Sequence, residues 1–128
     1  MKIYSFNQNS EGFALIELMV VIVIIAILAA IAIPNYINMR HKGFCSQAES
    51  DASIVAAAIA DYFTVGTRSA VPLLADLHVN VANPVNITGA SATGFFIEVT
   101  DRTGRCPVSY QNANPSWDGN CVYTKSVR

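Results

Sequence analysis

Several residue types that build catalytic and metal sites are scarce in this chain of 128 residues. It has two histidines, His41 and His78, which are far apart and have no cysteine or carboxylate partners at the spacings of zinc sites. Glycine-rich phosphate loops and nucleophile elbows are absent from the sequence. We therefore expect no catalytic residue, no metal site and no cofactor, and a membrane-tethered enzyme has no supporting residues.

Charge is also sparse. Charged residues make up 13% of the chain, and the formal net charge is −1. A protein that binds nucleic acid usually carries an exposed basic stripe. The basic residues here are instead dispersed and form no compact run, so no nucleic-acid partner is predicted.

Three cysteines leave one over after any single intramolecular pairing. Cys106 and Cys121 flank a loop rich in Asn, Pro, Ser and Gly, and a disulfide between them is the expected pairing. Closing a loop of that size contributes about 3 kcal/mol on the chain-entropy model, and it implies an oxidising compartment outside the inner membrane. Cys45 is expected to be a small buried apolar residue. Sequence does not fix the connectivity, so a bridge that involves Cys45 stays open.

A long apolar run is the dominant feature that is present. Phe13 to Ile33 is a stretch of 21 residues with one charge, Glu17. At about 1.5 Å per residue this helix would be roughly 30 Å long, which matches the hydrocarbon core of a bilayer. Met1 to Gly12 is polar, and the apolar run is too long for a secretory signal peptide. The run predicts a membrane-spanning helix over residues 13–34.

Glu17 is the informative residue within this run. A carboxylate inside a spanning helix costs about 3 kcal/mol if it has no partner. One interpretation is that Glu17 reaches the headgroups and water. The other is that a second chain supplies a cation. If the chain were cut after Gly12, Phe13 would carry a new α-amino group, and pairing with that amine in a neighbouring copy would give attraction and register.

The distribution of basic residues does not orient the predicted span. Lys2 is the only basic residue before it, whereas Arg40 and Lys42 follow it. The positive-inside rule therefore either places the residues after the span in the cytoplasm or gives no orientation at all.

The residues Gly12-Phe-Ala-Leu-Ile-Glu-Leu-Met-Val-Val21, with the apolar stretch that follows to Pro34, resemble the class III signal and N-terminal helix of type IVa pilins and type II secretion pseudopilins. In that family a prepilin peptidase cuts between the Gly and the Phe, N-methylates the new terminus, and leaves the leader in the cytoplasm. The resemblance implies cleavage between Gly12 and Phe13, methylation of Phe13 and an assembly role for Glu17. Two departures are a long leader poor in Lys and Arg, and Ala14 where Thr is common.

The helical pattern continues beyond the span. Apolar residues recur at steps of three and four and would share one face of a helix that ends near Thr64, before Gly66. They are Phe44, Ala48, Ala52, Val55, Ile59, Tyr62 and Phe63, whereas Gln47, Glu49, Ser50, Asp51 and Asp61 fall largely elsewhere. Pro34 lacks a backbone donor, and we expect it to kink this helix.

The rest of the chain predicts short strands. They are Val85–Thr88, Phe95–Thr100, Cys106–Gln111 and Cys121–Lys125, with a brief helical turn after Pro72 and a turn at Asp118 to Asn120. Phe95, Ile97 and Val99 alternate with more polar positions, which suits a sheet with one packed face. We expect an α+β fold in which a long N-terminal helix packs on an antiparallel sheet of about four strands, the pilin fold. The expected segments are a leader (1–12), a spanning helix (13–34), its amphipathic continuation (35–65) and a β head (66–128).

The leading functional hypothesis is a structural subunit of a type IV pilus that serves adhesion or twitching motility. Its expected partners are further copies of itself in a helical filament, a prepilin peptidase, the pilus assembly machinery and, before assembly, the inner membrane, with the leader cytoplasmic and the head periplasmic. The filament would then be extracellular. The alternatives are a pseudopilin of a type II secretion system, and a minor or competence pilin that binds DNA.

Overall fold

The computed structural model describes the backbone of residues 8–91 and 94–128 and the side chains of residues 13–89 and 94–128. A single helix, α1 (Gln8–Tyr62), is followed by a 3₁₀ turn at Leu74–Leu77. The remaining elements are β1 (Val85–Ser91), β2 (Gly94–Thr100), α2 (Val108–Ala113) and β3 (Val122–Val127). The chain divides after Ile37 into an N-terminal unit and a head, Asn38–Arg128.

The core of the head lies between the part of α1 within it and the central strand of the sheet. Ala48, Ala52, Val55 and Ile59 are buried along one face of α1, as their spacing predicts. From β2 the core takes Phe95, Ile97 and Val99, whereas the intervening side chains are exposed or half-buried. The helical face and the strand alternation are both confirmed.

The described strands form one antiparallel sheet in the order β1-β2-β3. Ile97 in β2 pairs with Ile87 in β1 and with Lys125 in β3. The sheet has three strands where about four were expected, because the predicted strand Cys106–Gln111 is wrong. Pro107 caps a short helix there instead, and its carbonyl accepts hydrogen bonds from the N–H groups of Tyr110 and Gln111. The α+β class is confirmed.

The expected disulfide between Cys106 and Cys121 is wrong. Cys106 is bonded to Cys45, whose Cα atom lies 5.0 Å away, and Cys121 is a free thiol. Cys45 is on the buried face of α1, and the chain carries Cys106 directly onto that face before α2 begins. The side chain of Gln111 occupies the space near Cys121: its Nε2 donates to the Cys106 carbonyl and to Cys121 Sγ, and its Oε1 accepts from the Cys121 N–H.

Candidate assembly segment and the head that it carries

The apolar segment, residues 13–33, leaves its large side chains uncovered. Their exposed fractions run from 47% for Val21 to 79% for Phe13. Among the described residues, α1 is the one helix that is long and apolar enough to cross a membrane, by length and composition. Burying a Val, Leu or Ile side chain contributes about 1.5–3 kcal/mol. Covering even a few of these residues therefore contributes as much as the whole stability of a typical domain, about 5–15 kcal/mol.

Phe13 and Glu17 lie on the same side of α1. Both side chains are exposed, and residues four positions apart in a helix are neighbours on its surface. Gly12 lies within the helical bounds of α1, and the leader residues 1–7 are outside the described residues. The spacing places the predicted new N-terminal residue and the one carboxylate of the apolar segment about one helical turn apart.

Helix α1 continues through Pro34 to Tyr62, so the predicted continuation of the helix is confirmed. The kink at Pro34 stays a prediction. The helix ends two residues before Thr64, whose hydroxyl donates to the carbonyl of Asp61 at 2.7 Å.

Glu49 anchors the C-terminal part of the head to α1. Its Oε1 accepts hydrogen bonds from the Tyr110 hydroxyl at 3.1 Å and from the indole N–H of Trp117 at 2.9 Å. Burial and the Glu49 carboxylate raise the pKa of Tyr110, and the same two causes raise the pKa of Tyr123. From the sequence, Glu49 was expected largely off the apolar face and was given no partner, because its partners lie more than sixty residues away.

Asp51 and Asn83 form a buried polar connection that the sequence analysis also missed. Asp51 Oδ2 accepts from the backbone N–H of Asn83 at 3.0 Å and from its side-chain Nδ2 at 2.8 Å. Asn83 Oδ1 in turn accepts from the N–H of Arg102. Asp51 follows Ala48 by three residues and precedes Val55 by four, so its spacing was the available signal for burial.

Asp101 organises the turn that leads to the disulfide. Its carboxylate accepts from the N–H and hydroxyl of Thr103 and from the N–H groups of Arg105 and Cys106, at 2.8–3.0 Å. Burial raises the pKa of Asp101, but these hydrogen bonds outweigh it and hold the pKa below its ordinary value. The charged carboxylate thus fixes the backbone that presents Cys106 to Cys45.

The expected turn at Asp118 to Asn120 is confirmed. Asp118 Oδ1 accepts from the N–H groups of Asn120 at 2.7 Å and Val122 at 3.1 Å, and Gly119 has a φ of 83°. That carboxylate serves the turn. Within the residues that the structure describes, no group of three His, Cys, Asp or Glu side chains lies together as a metal site would require.

The apolar segment coincides with a recognised sequence motif. Residues 7–33 match the family model described as the prokaryotic N-terminal methylation motif. The fimbrial protein EcpC of Eikenella corrodens is 32% identical over 103 residues, which cover 77% of this chain and 67% of that protein. The chain belongs to the type IV pilin family.

Two further relatives are similar to this pilin-family chain over alignments of different length. The type IV major pilin protein PilA of Myxococcus xanthus is 32% identical over 108 residues, 84% of this chain and 45% of that protein. The type II secretion system core protein G of Pseudomonas aeruginosa is 38% identical over 56 residues, 44% of this chain and 39% of that protein. The chain thus spans about half the length of the Myxococcus pilin. No solved structure was found to match it.

Proposed function

We propose that this chain is the structural subunit of a type IV pilus. In this proposal a prepilin peptidase cuts between Gly12 and Phe13 and methylates the amine of Phe13. The shortened chain then polymerises through its N-terminal helix with the help of the pilus assembly machinery. The precursor is held in the inner membrane with its leader in the cytoplasm and its head in the periplasm, and the filament is extracellular.

The exposed apolar segment, residues 13–33, is the observation that carries this proposal. It requires a cover that the described residues of the chain do not supply. Lipid can cover it in the membrane, and the same segments of other copies can cover it in a filament core. Because lipid chains are about as apolar as the helix surface, hydrophobicity alone does not drive the exchange from one to the other.

A polar pair at the N-terminus would make the filament core more favourable than lipid for the apolar segment. Glu17 is the one carboxylate of the apolar segment, and Phe13 lies one helical turn before it on the same side. In lipid, an unpaired Glu17 costs about 3 kcal/mol. Pairing with the Phe13 amine of a neighbouring copy removes that cost and also fixes how far one subunit is displaced along the next.

The Glu17→Gln variant tests this step, since it keeps the shape of the side chain and removes its charge. Glu98→Gln is the matched control, because Glu98 is a carboxylate in β2 that hydrogen-bonds Asn86 on the surface of the head. We expect normal cleavage in both variants and a filament yield at least about tenfold lower for Glu17→Gln, in line with about 3 kcal/mol per subunit contact. A normal yield of filaments from Glu17→Gln would remove the pairing from the proposal.

The intact mass of protein sheared from the cell surface tests the proposal as a whole. We expect the mass of Phe13–Arg128 with one added methyl group, less two hydrogens for one disulfide. Full-length protein confined to membranes would contradict processing and filament export. Processed protein that stays with the cells would point to a secretion pseudopilin, since the P. aeruginosa relative is a core protein of a type II secretion system.

A further inference from the structure

The head contains a groove of about 400 Å³ beside the first turns of its helical part. One wall is the stretch of α1 from Arg40 to Gln47, with the ring of Phe44 half-buried in it. The opposite wall is formed by Asn83, before β1, and by Arg102 and Thr103, after β2. We call this cleft the basic groove. All the residues that line it belong to the head.

The charges around the basic groove are mainly positive. Arg40 and Arg102 line it with exposed side chains, and the guanidinium carbon of Arg105 lies 5.9 Å from the centre of the Phe44 ring. Asp101 also lines it, but both of its oxygens accept hydrogen bonds inside the turn that it organises. Two arginines therefore line the pocket together with the Phe44 ring, and a third lies near that ring. Guanidinium is suited to bidentate binding of phosphate.

Arg40 and the nearby Lys42 also lie close in sequence to the predicted membrane span. Arg40 and Lys42 follow Ile33, the last residue of the apolar segment, by seven and nine residues. They are the residues that oppose the positive-inside rule, which counts basic residues close to the ends of a membrane span. Basic residues this close to the end of a span lie within reach of lipid headgroups, and each contributes about 1 kcal/mol near an anionic lipid surface.

We propose that the basic groove binds the phosphodiester headgroup of an anionic phospholipid while the chain is held in the membrane. Arg40 and Arg102 contact the phosphate, and Phe44 with the apolar part of the lining contacts the glycerol and the first carbons of the acyl chains. This inference rests on the proposed function only in requiring that the apolar segment spans the membrane.

Native mass spectrometry of the full-length chain in detergent tests the proposal. Phosphatidylglycerol and phosphatidylcholine are titrated separately, and the apparent Kd of the first lipid adduct is measured for each. We expect the wild-type chain to prefer phosphatidylglycerol. Each arginine close to a lipid surface contributes about fivefold in affinity, so Arg40→Gln/Arg102→Gln should bind phosphatidylglycerol about twenty-five-fold more weakly.

The control variant Arg68→Gln/Arg128→Gln removes the same number of charges away from the basic groove. Neither arginine lines the basic groove, and the guanidinium group of Arg68 lies 4.4 Å from the centre of the Tyr62 ring. This control should bind phosphatidylglycerol as the wild type does. The substituted side chains lie on the surface, so all variants should fold. Trp117 fluorescence on heating checks that they do.

Four outcomes would overturn the proposal. They are equal affinity for the two lipids, an equal loss in the control variant, complete displacement of the lipid by inorganic phosphate, and loss of chain dimers rather than lipid adducts in Arg40→Gln/Arg102→Gln. The last result would assign the basic groove to a second copy of this chain. Filament yield is measured separately, so a failure of lipid binding is distinguishable from a failure of the pilus proposal.

Discussion

Replacing Cys45 with serine tests the bridge that joins α1 to the segment before α2. The two bonded cysteines are 61 positions apart in sequence. On the chain-entropy model, closing a loop of that length contributes about 4 kcal/mol, against about 3 kcal/mol for the short loop between Cys106 and Cys121. In a domain of the size of the head, each kcal/mol changes the Tm by roughly 4–8 °C.

We therefore expect Cys45→Ser to lower the Tm of the head by roughly 15–30 °C. The matched control is Cys121→Ser, which removes the free thiol and leaves the bridge intact. It should unfold near the wild-type temperature without reductant, and it should lose stability like Cys45→Ser when a reductant is added. Trp117 is the only tryptophan and is buried in the head, so its fluorescence reports the transition.

Thiol alkylation followed by intact mass measurement gives an independent reading of the same bridge. In folded wild-type protein we expect one labelled cysteine, and peptide mapping should place the label on Cys121. Labelling of Cys45 with protection of Cys121, together with a normal Tm for Cys45→Ser, would refute the reasoning and restore the pairing between Cys106 and Cys121.

Two further predictions concern the polar anchors of the head. Glu49→Ala should destabilise the head by about 3 kcal/mol, because it leaves the Tyr110 hydroxyl and the Trp117 indole N–H without their charged acceptor; Glu49→Gln is the milder control. In that control an alkaline absorbance titration should show the raised pKa of Tyr110 falling, and an unchanged titration would contradict the role of Glu49. Because the pKa of folded Asp101 lies below its unfolded value of about 3.9, its stabilisation should be complete above that pH and disappear as the pH falls through the folded pKa. Chemical denaturation of wild type and Asp101→Asn should therefore give stabilities that converge in acid, and a constant difference would count against this account.

Periodic and local features were predictable from the sequence. The apolar segment, the buried face of Ala48, Ala52 and Val55, and the alternation through β2 all repeat at the period of their secondary structure. Such patterns are visible in the sequence because each element must place its apolar residues on one side. The motif around Gly12 and Glu17 was equally recognisable, because its residues are contiguous in the sequence.

The short helix α2 was expected to be a strand, for a different reason. Its six residues are too few to show a helical period, and Val108 and Tyr110 alternate as they would in a strand. The helix depends on contacts that the fold supplies: Gln111 is fully buried and binds the Cys106 carbonyl and the Cys121 N–H. A segment this short takes the conformation that its surroundings stabilise.

The apolar surface of the N-terminal helix and the packed faces of the head were determined by the sequence by itself, through the order and period of apolar residues. Only the tertiary structure decided which cysteine pairs with Cys106. It also decided which groups bind the carboxylates of Glu49 and Asp51 on α1. Their partners lie 32 to 68 residues away in the sequence. A buried charge or thiol is stabilised by the groups that surround it in space, and folding brings those groups together across distances that no local pattern records.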